Sequence, residues 1–367
     1  MYQIATLMQT FVGNTNIYKG DNIMQRIKAV SYGVGNIGKD IARFMMEKGV
    51  IITDAIDVKN VGEDLGDVIG AGRKLNVIIS DDADSVLAET GADIALVAIA
   101  TSLDTIFPHV KKCLEAGLNV ITTSEEASYA WTSSPGLAAK LDRIAKENGV
   151  TFTGSGMQDV FWANMVTNLT GASHRIDSIE GQVSINIDKF PAFVADYYVV
   201  GRKAADIREM IENGEKLPIG DEVVCLRMDL ENQISDLGLT TKSIKEMVEP
   251  IILDHDIKSK VLKGTIPAGD VIGLDNTIEI ETEEGILFRA MQTAKVYQPD
   301  EIDINEWWIK GEPNIHVRND NPPTLLGTSS QIVNRIPDVI NAEPGYVTID
   351  QLPKLTCKIR SLEHYLK

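Results

Sequence analysis

From Ile27 onward, short β-rich runs alternate with stretches of helical periodicity: IKAVSY, DIARFMMEKG, IITDAID, DIALVAIAT, FPHVKKCLEAG, NVITTS, PGLAAKLDRIAKENG and VTFTGS. Strands separated by helices of this length call for a parallel sheet with crossover helices on both faces. The expectation is a Rossmann-type doubly wound α/β domain over Ile27 to about Gly156, taken as residues 24–160 with its flanks. Gly49, Gly117 and Gly149 each follow a polar or cationic last turn, where a helix-ending glycine belongs.

The pattern changes after Trp162. RIDSIEGQVSINIDKF alternates apolar and polar residues at period two, whereas AADIREMIENGEKLP and TTKSIKEMVEPIIL read as amphipathic helices. Further strands are expected in NTIEIETEEGILFRAMQTAKVY, with EEG as the turn between them. Strands and helices without regular βαβ alternation point to a second α+β domain built on a mostly antiparallel sheet, residues 161–318. The remainder, 319–367, carries a helix from about Ser329 to Ala342 and a Pro-Gly turn, and is expected to return to the first domain. A chain of 367 residues is long enough for two such cores.

Composition excludes several classes of partner. A net charge of −18, with Lys and Arg scattered, repels polyphosphate backbones and argues against nucleic acid. No apolar run approaches the roughly 20 residues of a membrane span. Cys113, Cys225 and Cys357 lie far apart without metal-ligand spacing, which fits buried thiols, a reducing cytoplasm and no metal site. Residues 1–23 have no charge before Lys19 and no clear cleavage site, so they do not read as a signal peptide. They are left as an N-terminal extension: an arm on a neighbouring subunit, an extra ordered element, or an extension from an upstream start.

Gly33, Gly35 and Gly38 form GxGxxG across Gly33, Val34, Gly35, Asn36, Ile37 and Gly38, between a strand and a helix; Asp57 ends the next strand. In this context the first glycine makes a tight turn, the second admits a pyrophosphate, and the third lets helix and strand pack closely. The anion then sits at the positive end of the helix. Asp57 suits the ribose 2′-OH of NAD, and Lys59 nearby helps tolerate NADP.

Ligands of such sheets collect beyond the carboxyl ends of the strands. Those ends fall at Thr101 and Ser102, at Thr122–Ser124, and at Gly154–Gly156, so Glu125 and Glu126 stand on the active edge. The bland reading of both acids is interaction with a helix dipole. A chemical reading fits Glu125, the first residue after the strand. Reducing a ketone develops an oxyanion that wants a cation or a proton donor, but reducing an iminium involves a substrate that is itself positive. A carboxylate suits the second case, and in the reverse direction it accepts the proton of the ammonium substrate. Glu125 is therefore the expected catalytic base. Met157, Gln158, Asp159, Phe161 and Trp162, just beyond the last strand, have the mixed apolar and polar character of a small substrate pocket.

The glycine-rich start, NVITTSEEASYAW and VNRIPDVINAEPGYVT together resemble the dihydrodipicolinate reductase-like superfamily, more narrowly the 2,4-diaminopentanoate dehydrogenases and related NAD(P)H-dependent amine dehydrogenases. The resemblance covers nearly all of the chain beyond Met24. It implies that Glu125 is the site carboxylate, that GSGMQDVFW is the pocket loop, that Asn334 lies near the nicotinamide, and that the enzyme is a homodimer paired through its second-domain sheets. Three departures narrow it. The adjacent His pair of dihydrodipicolinate reductase proper is missing, since His109, His174, His255, His316 and His364 are isolated. The Glu-Lys-Pro of sugar and inositol dehydrogenases and the Lys of homoserine dehydrogenases are replaced here by Ser-Glu-Glu.

The expected activity is reductive amination of a small ketone or aldehyde with ammonia, and the reverse oxidative deamination. One alternative is deamination of 2,4-diaminopentanoate at its 4-position, which needs a cation for the α-carboxylate; Arg175, Arg202, Lys203 and Arg289 are the candidates. Another, of a different class, is a non-catalytic NAD(H) sensor.

Overall fold

The computed structural model describes residues 25–190, 192–215, 217 and 225–367; the expectation for residues 1–23 lies outside them. The first unit runs β1 (Lys28–Tyr32), α1 (Asn36–Glu47), β2 (Ile51–Ile56), α2 (Leu65–Val68), β3 (Ile79–Ser80), α3 (Ala83–Glu89), β4 (Ile94–Val97), α4 (Leu103–Glu115), β5 (Asn119–Thr122), α5 (Pro135–Glu147) and β6 (Thr151–Gly154). Strands β4, β5 and β6 are buried almost throughout because helices cover both faces of the sheet. Strand order reverses beside β1, with β4 on one side and β2 on the other, which opens a crevice at the carboxyl ends of β1 and β4.

The second unit contains α6 (Met165–Thr170), β7 (Arg175–Asn186), α7 (Ala192–Tyr197), α8 (Ala204–Glu212), α9 (Cys225–Asp236), β8 (Thr241–Ile252), β9 (Ile257–Ser259), β10 (Gly264–Ile266), β11 (Val271–Thr282), β12 (Leu287–Lys295), β13 (Ile304–Glu312) and β14 (Ile315–Asp320). Its six-stranded sheet has the order β14-β13-β7-β12-β11-β8; only the central β7/β12 pair is parallel. One face is closed by α6, α9 and the turn before α6, packed around Trp307, Phe288, Ile278 and Leu230.

The segment TTKSIKEMVEPIIL is not a helix but the edge strand β8. Its apolar residues Ile244, Met247, Val248 and Ile251 match helical spacing, yet the run is rich in β-branched residues and pairs along its length with β11. Tertiary pairing outweighs a pattern that fits both structures. Pro250 and the alternating Lys and Glu side chains are what an exposed sheet edge tolerates.

The chain then returns to the first unit. Helix α10 (Thr324–Ile340) begins about a turn earlier than its sequence signals suggest and packs on α1 and β5 through Ile332, Val333, Ile336 and Val339. Strand β15 (Gly345–Tyr346) adds in parallel beside β6, making the first sheet seven-stranded. No helix among the described residues is long and apolar enough to cross a membrane.

Candidate active site

The three glycines of the β1–α1 turn differ in what surrounds them. Gly33 has φ +92, and a Cβ there would meet the Ala98 carbonyl oxygen at 2.4 Å. A Cβ on Gly38 would meet the Gly33 carbonyl oxygen at 2.0 Å, so this position is fixed by backbone packing. Gly35 is exposed and a Cβ there would touch nothing within 4 Å. Gly35 also leads α1, whose first turn has neither a side-chain cap nor an acid. Unsatisfied NH groups and the positive helix end thus face open space, as a dinucleotide pyrophosphate requires. Asn36 and Ile37 begin the helix, while Val34 is buried in the core beneath it.

Asp57, just beyond β2, accepts the Val34 NH at 2.5 Å and the Lys59 NH at 2.7 Å. Its carboxylate is thereby held against the glycine turn. Thr101 and Ser102 follow β4: the Thr101 carbonyl accepts the Ser124 hydroxyl at 2.5 Å, and Ser102 begins α4. Two strand ends are thus tied together beneath the crevice.

The two adjacent acids after β5 have separate fates. Glu126 is buried and accepts the Leu103 NH at 2.7 Å together with the Ser133 and Ser134 hydroxyls at 2.8 and 2.7 Å. It caps α4, so its role is the dipole interaction, directed to a neighbouring helix. Glu125 is exposed, and its backbone carbonyl accepts the Ser128 hydroxyl at 2.8 Å. The turn behind it is braced by Tyr346, whose hydroxyl donates to the Ala127 carbonyl at 2.9 Å and accepts the Ala130 NH at 2.7 Å. A Cβ on Gly154 would collide with the Ala127 and Ser128 backbone, which explains how the turn lies directly on β6.

The loop after β6 becomes helical at Met157 and makes a π-helical turn over Asp159–Asn164, an irregularity common at functional sites. Its leading NH groups are satisfied from α10: Thr328 accepts the Met157 NH at 3.2 Å and Gln331 accepts the Val160 NH at 2.8 Å. Asp159 is fully buried in a bidentate pair with Arg335, 2.7 Å on each arm. Met157 and Trp162 are buried, Phe161 is half-buried, and the carbonyls of Phe161 and Trp162 accept from Asn305 and Gln233. Gln158 is buried, and its amide nitrogen has no partner among the described residues.

Asn334, on α10, has a contact of its own. Its Oδ1 accepts the Lys358 NH at 3.0 Å, so it lies on the α10 face that holds the C-terminal tail. Thr328, Gln331 and Arg335, at helical spacing, are the α10 residues whose side chains are bonded to the loop.

Sequence reading missed α9. Helix α9 packs against both the Glu125 turn and the π-helical loop. Its Cys225 and Asp229, four apart, share one face. Burial pushes the Cys225 thiol well up, followed by its hydrogen-bonding neighbour Glu125 and by Asp229. Burial likewise raises the Asp229 carboxyl far above the usual range, with Glu125 and then Asp159 adding to it. The available signal was Cys225, Asp229, Asn232 and Gln233 recurring at helical spacing alongside Leu226, Met228, Leu230 and Ile234.

The C-terminal domain family of 2,4-diaminopentanoate dehydrogenase matches residues 161–367, more than half of the chain. The chain belongs to this family. It is an NAD(P)-dependent dehydrogenase, and the non-catalytic sensor alternative is set aside. Over 350 residues the protein is 28% identical to a 2,4-diaminopentanoate dehydrogenase of Acetoanaerobium sticklandii, covering 90% of this chain and 94% of that one. The structure resembles an amine dehydrogenase from Mycobacterium smegmatis at 43% identity and a TM-score of 0.83, covering 92% of this chain and 98% of the other. A myo-inositol 2-dehydrogenase from Lactobacillus plantarum, 13% identical with a TM-score of 0.56 over 93% and 95% of the two chains, shares the fold alone. In this family member the Ser-Glu-Glu turn, the π-helical loop and α9 meet at the carboxyl edge of the parallel sheet.

Proposed function

We propose that this protein joins ammonia to a small ketone or aldehyde by reductive amination and runs the reverse oxidative deamination, with Glu125 as its base. The observation that carries the assignment is the division of labour on the Ser-Glu-Glu turn. Glu126 caps a helix, and Glu125 stands at the exposed edge of the strands with Cys225 of α9 as its hydrogen-bonding neighbour.

When bound, NAD(P)H supplies the hydride. The uncapped start of α1 at Gly35 and Asn36 holds the pyrophosphate, with Asp57 beside the glycine turn for the adenine ribose and Thr101 and Ser102 along the cofactor edge. Glu125 takes a proton from ammonium, and its negative charge stabilises the cationic carbon-nitrogen unit of the substrate. Met157, Phe161 and Trp162 enclose the alkyl part, and Gln158 offers a buried polar group. Asp159 acts on the pocket indirectly, by fixing the loop to α10.

A simple carbonyl is favoured over a diamino acid by where the cations lie. Arg175, Lys203 and Arg289 are engaged with Asp177, Asp270 and Glu279, and Arg202 is an exposed neighbour of Lys203. Arg335 is buried against Asp159. The runner-up, deamination of 2,4-diaminopentanoate at its 4-position, rests on the family's own name.

The same reading makes the enzyme a cytoplasmic homodimer, supported by three free thiols and by the face of the six-stranded sheet opposite α9, where Met291, Trp308 and Thr277 are only half-buried. Comparing kcat/KM for small ketones and aldehydes with that for 2-amino-4-oxopentanoate, in ammonium buffer, tests the substrate class. A simple carbonyl should be preferred, and a preference of about tenfold or more for the amino acid would reverse the assignment.

A further inference from the structure

Helix α9 carries a buried polar face that the account so far leaves unused. Asp229 is 0% exposed and neither of its carboxylate oxygens has a partner among the described residues. Asn232 and Gln233 follow on the next turn, 1% and 0% exposed. Each has its amide nitrogen fixed as a donor, Asn232 to the Ser128 carbonyl at 3.3 Å and Gln233 to the Trp162 carbonyl at 2.6 Å. The nitrogen must be the donor to a carbonyl, so in both residues the oxygen is the atom left over, and both oxygens are unpartnered. Across from α9, on the π-helical loop, the unpartnered atoms are instead donors: Gln158 Nε2 and Trp162 Nε1.

A buried carboxyl without a hydrogen bond is expensive, and a protein that keeps one has a use for it. We propose that Asp229, with Asn232 beside it and Glu125 facing it from the neighbouring turn, forms the subsite that holds the nitrogen of ammonium or of the substrate amine. Ammonium presents only donors, and the atoms that the α9 wall leaves unpartnered are all oxygens: both of Asp229, Oδ1 of Asn232 and Oε1 of Gln233. A carbonyl oxygen presents only acceptors, and the opposing loop presents donors. The two walls therefore match the two reactants of a reductive amination, one each. The groups that face Asp229 are Glu125, Asp159 with its partner Arg335, and Cys225 one turn earlier. Arg335 is taken up by Asp159, so the carboxyl without a partner among the described residues, Asp229, is the one an incoming cation meets.

This assignment rests on the reaction proposed above, and the test separates the two. Initial rates of NADH oxidation are measured on the full chain against ammonium concentration at saturating carbonyl, for the wild type, Asp229→Asn and Asp229→Leu. Binding of NADH confirms that each variant is folded. The expected result is a KM for ammonium raised about tenfold or more in both variants, with the KM for the carbonyl within about twofold of wild type. Loss of an unpartnered buried carboxyl should also leave the variants at least as heat-stable as the parent at neutral pH. If the wild type requires ammonium and both variants keep its KM, or lose stability while keeping it, the Asp229 assignment is overturned and the reaction stands. If the wild type oxidises NADH equally well without ammonium, the reaction itself falls, and the subsite with it.

Discussion

The Asp159 carboxylate and the Arg335 guanidinium, 176 residues apart in sequence, meet in a fully buried bidentate pair that fastens the loop beyond β6 to the C-terminal helix α10. Ser155 and Asn164 donate to the same carboxylate, and the Pro353 carbonyl and Asp338 accept from the same guanidinium. Every polar atom of the pair thus has company, which is the condition under which a buried ion pair is tolerable.

Removing one partner leaves the other charged and buried. Arg335→Met should cost about 3–5 kcal/mol of unfolding free energy, whereas Arg335→Met combined with Asp159→Asn should recover a substantial part of it. Denaturant melts of the two variants and the parent check this; a double variant no more stable than Arg335→Met would contradict it.

The adjacent acids of the Ser-Glu-Glu turn should separate under mutation. Glu125→Gln is expected to lower the deamination rate about 10²- to 10⁴-fold and leave the melting temperature close to that of the parent. Glu126→Gln strips charge from the cap on Leu103 and should show the reverse: a loss of about 1–3 kcal/mol of stability with a much smaller effect on kcat. Near-parental deamination by Glu125→Gln would remove it from the mechanism.

Glycine substitutions distinguish cofactor space from packing space. Gly35 has φ −75 and open surroundings, so Gly35→Val should fold within about 0.5 kcal/mol of the parent but bind NADH at least about tenfold more weakly. Gly38→Ala drives a methyl into the Gly33 carbonyl oxygen and should destabilise the fold by about 1–3 kcal/mol or more. NADH titration and thermal melts of both variants would expose any other ranking.

Stability should depend on pH through Asp229. Burial, then Glu125 and Asp159, raise its carboxyl above the unfolded value of about 4. The folded chain therefore binds this proton more tightly than the unfolded chain does, and stability from this group declines as pH rises above that value. Asp229→Asn removes the decline, so its melting temperature should exceed the parent's at pH 8 and converge with it near pH 4. A gap of the same size at both pH values would assign the effect to packing instead.

The parallel sheet was legible because strand, glycine turn, helix and acidic strand end recur in a fixed order between Lys28 and Asp57. The place of Glu125 at the carboxyl edge of the sheet was legible because it follows closely on the end of β5. The edge strand β8 was not, since Ile244, Met247, Val248 and Ile251 satisfy a helical template and only the pairing with β11 decides between the two. Helix α9 escaped notice because its buried polar residues face a site rather than solvent, which cancels the amphipathic contrast by which helices are recognised. Asn334 and Arg335 are neighbours on one helix, and sequence could not say that Arg335 bridges the loop and the tail while Asn334 accepts from the tail; that depends on α10 lying across α1 and β5. Tyr346 shows the same limit, since its bracing of the Glu125 turn depends on β15 joining the sheet from more than two hundred residues away.

The role proposed for Glu125 is in a reaction at a carbon-nitrogen bond. Its most direct test is the rate of NADH and NADPH oxidation with a panel of small ketones and aldehydes, each measured with and without ammonium. Turnover is expected only when ammonium is present. Equal oxidation without ammonium would mean that the enzyme reduces the carbonyl itself, and the role given to Glu125 would be wrong.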